Sequence, residues 1–385
     1  NGTIEGDKLA MNIAVVAGGT LNVKVDFAGT KLSADQSSEA AIQSFVVKIG
    51  DANVEGKIDG NNISFIIPDG LENLTFAPTI VISDKATITP ASGVEQDFSS
   101  PVIYTVTSED GIVTTKYTVS VSGQIRDFGF DEWETIKSST SGSTEQYDVP
   151  KGLYGTSNPG IMTINEMFGS NLPELFSYTV SPVEGQSGKA AKLQTVYTYM
   201  FLNGMDFNAL LGGLVPYVTA GSLFTGIFKT DMNNTLNSTK FGVPFVGEPA
   251  TFTGYYKYTP GTTYYNNKNE VVADKTDECS IYAVLYEELL DEENNNIPLN
   301  GDYNDPDLYI GSSKRIVMKA VLEDGTAKSD WTKFSIPFKL LEGKSYDATK
   351  KYYLAIVCSS SAEGDYFMGA PGSTLFIDSF TVTPQ

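Results

Sequence analysis

The chain has no histidine, only two cysteines and two tryptophans in 385 residues, and 26 lysines and arginines against 47 aspartates and glutamates. Without histidine, the usual general base of nucleophilic triads and the commonest zinc ligand are missing, so any hydrolytic chemistry would have to run on carboxylates. Two thiols are too few ligands for a structural zinc site. A formal charge of −21 lacks the clustered basic footprint that displaces counterions from phosphates. The partner is therefore expected to be neutral or protein, with no nucleic acid and no anionic membrane surface. No phosphate-cradling glycine loop, nucleophile elbow or dinucleotide fingerprint occurs, nor an internal repeat at solenoid or propeller spacing.

Long hydrophobic runs are also lacking. The uncharged stretch 207–228 is interrupted by Gly212, Gly213, Pro216, Gly221 and Gly226, which makes it a poor spanning helix. It reads as a short helical turn followed by the strand Ser222-Leu-Phe-Thr-Gly-Ile-Phe228. A chain opening at Asn1 reads as a mature or trimmed product, with any targeting segment or N-terminal lipid anchor upstream. Strand parity turns both thiols inward. Cys279 shares a face with Ile281, Ala283 and Leu285, and Cys358 with Leu354 and Ile356. Inert buried thiols are expected in preference to a disulfide.

What is present describes a sheet protein. Hydrophobic residues make up 41%, with 21 tyrosines, 21 phenylalanines and 36 glycines, and the length calls for two or three domains. Strand-like runs begin with Leu21-Asn-Val-Lys-Val-Asp-Phe27, Phe45-Val-Val-Lys-Ile49, Ile63-Ser-Phe-Ile-Ile67 and Thr79-Ile-Val-Ile82. A hairpin of Tyr104-Thr-Val-Thr107 and Tyr117-Thr-Val-Ser-Val121 closes the series around Glu109-Asp-Gly111. Roughly seven short strands in about 120 residues is the size of an immunoglobulin-like sandwich. The texture changes near Gly123, so the domains are read as 1–123 and 124–385. Eight or more further strands with long connections suit a jelly-roll sandwich, with helix a minor component and the Ser/Thr/Gly run 138–144 a loop.

Two resemblances follow from ordered motifs. Phe65-Ile-Ile-Pro68, Ala77-Pro-Thr-Ile80, Ile88-Thr-Pro90, Asp97-Phe-Ser99 and Tyr104-Thr-Val-Thr-Ser-Glu-Asp-Gly111 resemble the immunoglobulin-like modules near the N-termini of surface lipoproteins of Gram-negative gut commensals. That resemblance implies a spacer or presentation role. Asp131-Glu-Trp133, Tyr154-Gly-Thr-Ser-Asn-Pro-Gly160, Ser187-Gly-Lys-Ala-Ala-Lys-Leu193, Ala220-Gly-Ser-Leu-Phe-Thr-Gly226, Phe241-Gly-Val-Pro-Phe245, Gly254-Tyr-Tyr-Lys-Tyr258 and a run from Gly364 to Asp378 occur in this order. Together they resemble the "putative carbohydrate metabolism domain" at the C-terminus of envelope proteins in the same bacteria. This second resemblance covers about residues 124–385 and implies a galactose-binding-like jelly roll with a glycan connection. One departure is Leu153-Tyr154 where a tryptophan is expected, so an aromatic platform there would rest on tyrosine.

The candidate ligand residues come from strand parity. In Phe252-Thr-Gly-Tyr-Tyr-Lys-Tyr258, Phe252, Tyr256 and Tyr258 fall on one face and Tyr255 and Lys257 on the other. A tyrosine ring beside an ammonium suits a hydroxyl-rich poly- or oligosaccharide, though an amphipathic face simply wetted by solvent has the same pattern. If its strand runs straight, Trp331 shares a face with Lys333 and Ser335, opposite Phe334, Ile336 and Phe338. Trp331 and Trp133 are thus either sugar platforms or caps on the core. Tyr154, Asp365 and Tyr366 complete the ligand set. Asp378, with Asp127 or Asp131, could hold a structural calcium, or be satisfied by local backbone or a lysine. The acidic runs 287–296 and 302–307 read as solvated loops, and in the second Pro306 spoils the calcium-loop pattern.

The reading is an all-β envelope protein, at the outer-membrane surface or in the periplasm, whose jelly roll binds glycan without catalysis. It needs no cofactor beyond the possible calcium, and other envelope glycan-utilisation proteins are expected partners. The alternatives are a carboxylate-dependent glycoside hydrolase, for which Glu132, Glu166, Asp131 and Asp365 are eligible, and a structural adhesin or pilus-associated subunit.

Overall fold

The structure, a computed structural model, describes residues 2–5, 8–17, 21–30, 36–68, 71, 73–98, 100–124, 126–348 and 350–385. The chain divides into two compact units, Asn1–Ser122 and Gly123–Gln385.

In the first unit a three-stranded antiparallel meander, Gly2–Glu5, Lys8–Ala17 and Leu21–Thr30, precedes a sandwich. One sheet of the sandwich orders Thr87–Thr89, Val102–Thr107, Thr114–Gln124, Asn62–Ile67 and Lys57–Asp59. The other orders Ala52–Glu55, Ile42–Ile49 and Thr79–Ile82. Period-two alternation drives Phe45, Phe65, Tyr104, Val106 and Val119 into one core. Phe98 meets Phe45 and Phe65 edge-on there, at 6.3 and 5.3 Å.

The second unit is a larger antiparallel sandwich. Its first sheet orders Val180–Glu184, Lys189–Gln194, Thr374–Pro384, Pro249–Thr259 and Lys328–Pro337, with Arg126–Phe128 also paired to Thr374–Pro384. Its second sheet runs through Tyr154–Thr156, Ser222–Phe228, Tyr352–Ser359, Ser280–Glu287, Ile316–Val321 and Lys339–Leu340. Phe252, Tyr256, Tyr258, Phe334 and Phe380 of the first sheet meet Ile281, Ala283, Leu285, Leu354 and Ile356 of the second. Both cysteines lie in this core as free thiols.

The two sheets differ on their outer sides, and that difference locates the candidate site. The second sheet is covered again by Phe241, Leu299 and Ile310, which bury Val284, Tyr286 and Ala355. Ser280–Glu287 therefore loses simple alternation. Part of the covering chain is one of the acidic segments expected to be solvated. Residues 289–295 are exposed as expected, but Asp302 is buried and accepts from Asn234 Nδ2 at 2.6 Å. The first sheet keeps strict alternation from Phe252 to Tyr258 in its strand Pro249–Thr259, which leaves the outer face of that stretch uncovered.

Candidate functional site

On that outer face the ring-bearing and cationic side chains of neighbouring strands stand together. Tyr256 and Tyr258 are buried and Tyr255 and Lys257 half-buried. Lys257 Nζ lies 4.8 Å from the ring centre of Trp331 and 4.8 Å from that of Phe376. Lys333 Nζ lies 5.9 Å from the Tyr255 ring. These are cation–π distances. Register explains the meeting of Lys257 and Trp331. Tyr256 pairs with Thr332 but Tyr258 with Lys328, so Ser329, Asp330 and Trp331 together face the single residue Lys257. Trp331 is half-buried on the face away from Phe334. Phe376 was not singled out from the sequence; alternation with Leu375 and Ile377 is the signal that would have found it.

The other aromatic candidates serve packing. Trp133 is half-buried against the core and its indole N–H donates to the Phe130 carbonyl at 2.6 Å. Tyr154 packs 5.5 Å from the Phe130 ring, donates to the Gly129 carbonyl, and burial pushes its phenol up. The Ser-Asn-Pro-Gly segment beside it opens a helix, Asn158–Phe168, which the sequence analysis did not assign. Its signals were present: proline in the first turn and apolar residues at Ile161, Ile164 and Phe168. Asn158 is wholly buried and exchanges two hydrogen bonds with the backbone of Val180, at 2.8 and 2.9 Å, in the manner of a strand neighbour.

A cavity of ≈ 250 Å³ opens between that helix and the covered side of the second sheet. Its wall is mainly apolar, including Met167, Phe168, Phe228, Met232, Phe241 and Tyr282, and among the described residues Asp365 is the only carboxylate on it. Asp365 is an exposed residue, yet desolvation by the protein around its carboxyl raises it above the usual range, partly offset by the hydrogen bond from Tyr309 OH. Neighbouring Tyr366, 39% exposed, stacks on Tyr303 at 5.1 Å.

The remaining carboxylates occupy separate surroundings. Glu132 is exposed and paired with Lys151 at 3.2 Å. Glu166 accepts from the hydroxyls of Ser138 and Thr140, and the Ser138 bond above all holds its carboxyl below the usual range. Asp378 is 2% exposed, and its Oδ2 accepts the backbone amides of Gln186 and Ser187 at 2.7 and 3.1 Å. Asp131 accepts the Lys189 amide at 2.9 Å and Asp127 the Thr381 hydroxyl at 2.8 Å. Asp378 and Asp131 thus clamp the turn between Val180–Glu184 and Lys189–Gln194 from two sides. The clamp fits glycine at position 188, where φ is +61° and a Cβ would stand 2.0 Å from Asp131 Oδ1. Among the described residues no group of three or more Cys, Asp or Glu side chains is placed to hold a metal.

Comparison with known proteins supplies a family. Residues 129–383 match the family described as "Putative carbohydrate metabolism domain". Residues 42–121 match "SGBP, N-terminal", the N-terminal domain of surface glycan-binding proteins. A crystal structure described as a putative glycoside hydrolase from Bacteroides thetaiotaomicron VPI-5482 is 30% identical with a TM-score of 0.53, covering 92% of this chain and 99% of its own. Another of the same description, from Bacteroides vulgatus ATCC 8482, is 26% identical with a TM-score of 0.49, covering 67% of this chain and 98% of its own. No curated protein matches the sequence.

Proposed function

Because this chain belongs to the putative carbohydrate metabolism domain family, we propose that it binds a glycan without cleaving it, on the outer face of the first sheet of its second unit. The observation that carries the reading is Lys257 held between Trp331 and Phe376, with Lys333 over Tyr255 beside it. Flat rings offer apolar faces to the C–H side of a sugar, and an ammonium offers three donors to its hydroxyls. The strands fix their backbone beforehand, so binding orders little beyond side chains. The match of residues 42–121 supports a place at the cell envelope, with the first unit as spacer.

Hydrolysis is the second reading, favoured by the description of the B. thetaiotaomicron relative and by Asp365, whose raised carboxyl is what a general acid needs. Two-carboxylate hydrolysis needs a partner at ~5 Å or ~6.5–9.5 Å. Glu132 and Glu166 are engaged elsewhere and do not line the cavity, which leaves binding as the better supported function.

The test is a glycan-array screen of the whole chain, with calorimetry and reducing-sugar release on each hit. Tyr255→Ala with Lys257→Ala should weaken binding at least tenfold, with no sugar released by the unsubstituted chain. Unchanged affinity in the double variant refutes the site, and turnover refutes the non-catalytic reading.

A further inference from the structure

Residues 195–201, Thr-Val-Tyr-Thr-Tyr-Met-Phe, alternate in a way the core does not explain. Thr198 and Met200 are buried, Tyr197 and Tyr199 half-buried, and Phe201 is 61% exposed. The aromatics therefore stand on the solvent side. The row extends beyond the segment, because Tyr265 stacks on Tyr197 with centroids 5.0 Å apart, and Tyr217 lies 5.7 Å from Tyr199. Tyr197 to Tyr199 is 5.6 Å and Tyr199 to Phe201 is 6.1 Å, so Tyr265, Tyr197, Tyr199 and Phe201 follow one another and Tyr217 branches from Tyr199.

The underside of the row is rigid. Asn208, 1% exposed, accepts from the Met200 amide at 2.6 Å and donates to the Thr198 carbonyl at 2.9 Å. Two ring edges are anchored too, Tyr197 OH donating to Asn269 Oδ1 at 2.6 Å and Tyr217 OH to Asp206 Oδ2 at 2.9 Å. A contiguous strip of half-exposed rings is costly to leave in water, and on a folded protein it marks a binding surface. Its phenol edges, the Asn269 amide and the Asp206 carboxylate accept hydrogen bonds from hydroxyls, and the carboxylate repels an anion.

We propose that the row formed by Tyr265, Tyr197, Tyr199, Phe201 and Tyr217 is a second carbohydrate platform, which takes an uncharged oligosaccharide lying along several rings. The proposal shares its ligand class with the reading above but no residue with it, so either can fail alone. Both tryptophans lie outside the row, and Trp331 stands on the sheet face, so its emission reports that face.

The test titrates the whole chain with cellohexaose, xylohexaose, mannohexaose, laminarihexaose and maltohexaose, followed by calorimetry and tryptophan emission. For a hexaose that binds, Phe201→Ser and Tyr199→Ala should each weaken affinity roughly five- to tenfold. Tyr199→Phe should bind as the unsubstituted chain does, and Tyr255→Ala with Lys257→Ala should leave this component intact. Phe201 is open enough that its replacement leaves the fold alone, which keeps the result interpretable if Tyr199→Ala fails to fold. Full affinity in Phe201→Ser, or no binding of any hexaose by the unsubstituted chain, overturns the platform. Self-association that Phe201→Ser abolishes also overturns it, by marking the row as a contact between copies.

Discussion

Replacing Asp378 with alanine removes a buried carboxylate that two backbone amides and one hydroxyl use as acceptor. The bonds come from Gln186 and Ser187 to Oδ2 and from Ser379 Oγ to Oδ1 at 3.0 Å. A hydrogen bond to a charged group is worth about 1.5–3 kcal/mol net. Gln186 and Ser187 are themselves exposed, so water reclaims their amides in the variant and each bond counts at the low end. The two amide bonds then give an expected loss of about 3 kcal/mol, the exposed Ser379 hydroxyl turning to water, or roughly 6–12 °C in the melting temperature of a unit this size. Asp378→Asn keeps an acceptor without the charge and should lose about half as much. Both tryptophans, Trp133 and Trp331, belong to the second unit, so tryptophan emission in a guanidinium titration reports that unit alone. A loss below about 0.5 kcal/mol refutes the clamp. A melting temperature of the unsubstituted chain that falls with a chelator, by an amount the Asp378→Ala variant no longer shows, would instead establish the carboxylate as a calcium ligand.

Two further outcomes follow from burial and charge. Cys279 is pushed up to about 12 by burial and Cys358 well above the usual thiol range by the same cause, so a thiol reagent should find neither at pH 8 and both in guanidinium; rapid native labelling would contradict the packed core. Asp324 is held down at about 2, first by the hydrogen bond from Lys328 at 2.7 Å. A carboxyl lowered in the folded state stabilises it above the ordinary 3.8, and that contribution is lost as pH falls from there through about 2. Lys328→Met should raise its midpoint in a carboxyl NMR titration toward 3.8, and an unmoved midpoint would refute the pairing.

The legible parts of this molecule are those governed by strand alternation. Parity placed Phe252, Tyr256 and Tyr258 in the core and both thiols beside their strand neighbours, and the glycines and Pro216 of 207–228 marked a short helix, Phe207–Leu210, before the Ser222–Phe228 strand, because each depends only on residues close in the chain. Parity fails where a strand slips. Ile377 and Asp378 are successive residues yet both buried, because the register with Pro249–Thr259 shifts between Thr253 and Tyr255 and Ser379 takes a φ of +53°. The helix Asn158–Phe168 is poorly legible because its apolar stripe is short and begins right after Asn158-Pro-Gly160, residues that equally suit a turn.

By itself the sequence determined the all-β class, the two sandwiches and the exclusion of histidine chemistry, since composition and period-two patterning act locally and need no partner. Only the tertiary structure decided that Lys257 lies between Trp331 and Phe376, that Asp378 clamps the turn at Gln186 and Ser187, and that Tyr265 and Tyr217 extend the row begun by Tyr197. Each of these joins residues from separate strands or loops, and which separated segments become neighbours depends on the pairing order and register of the folded sheets.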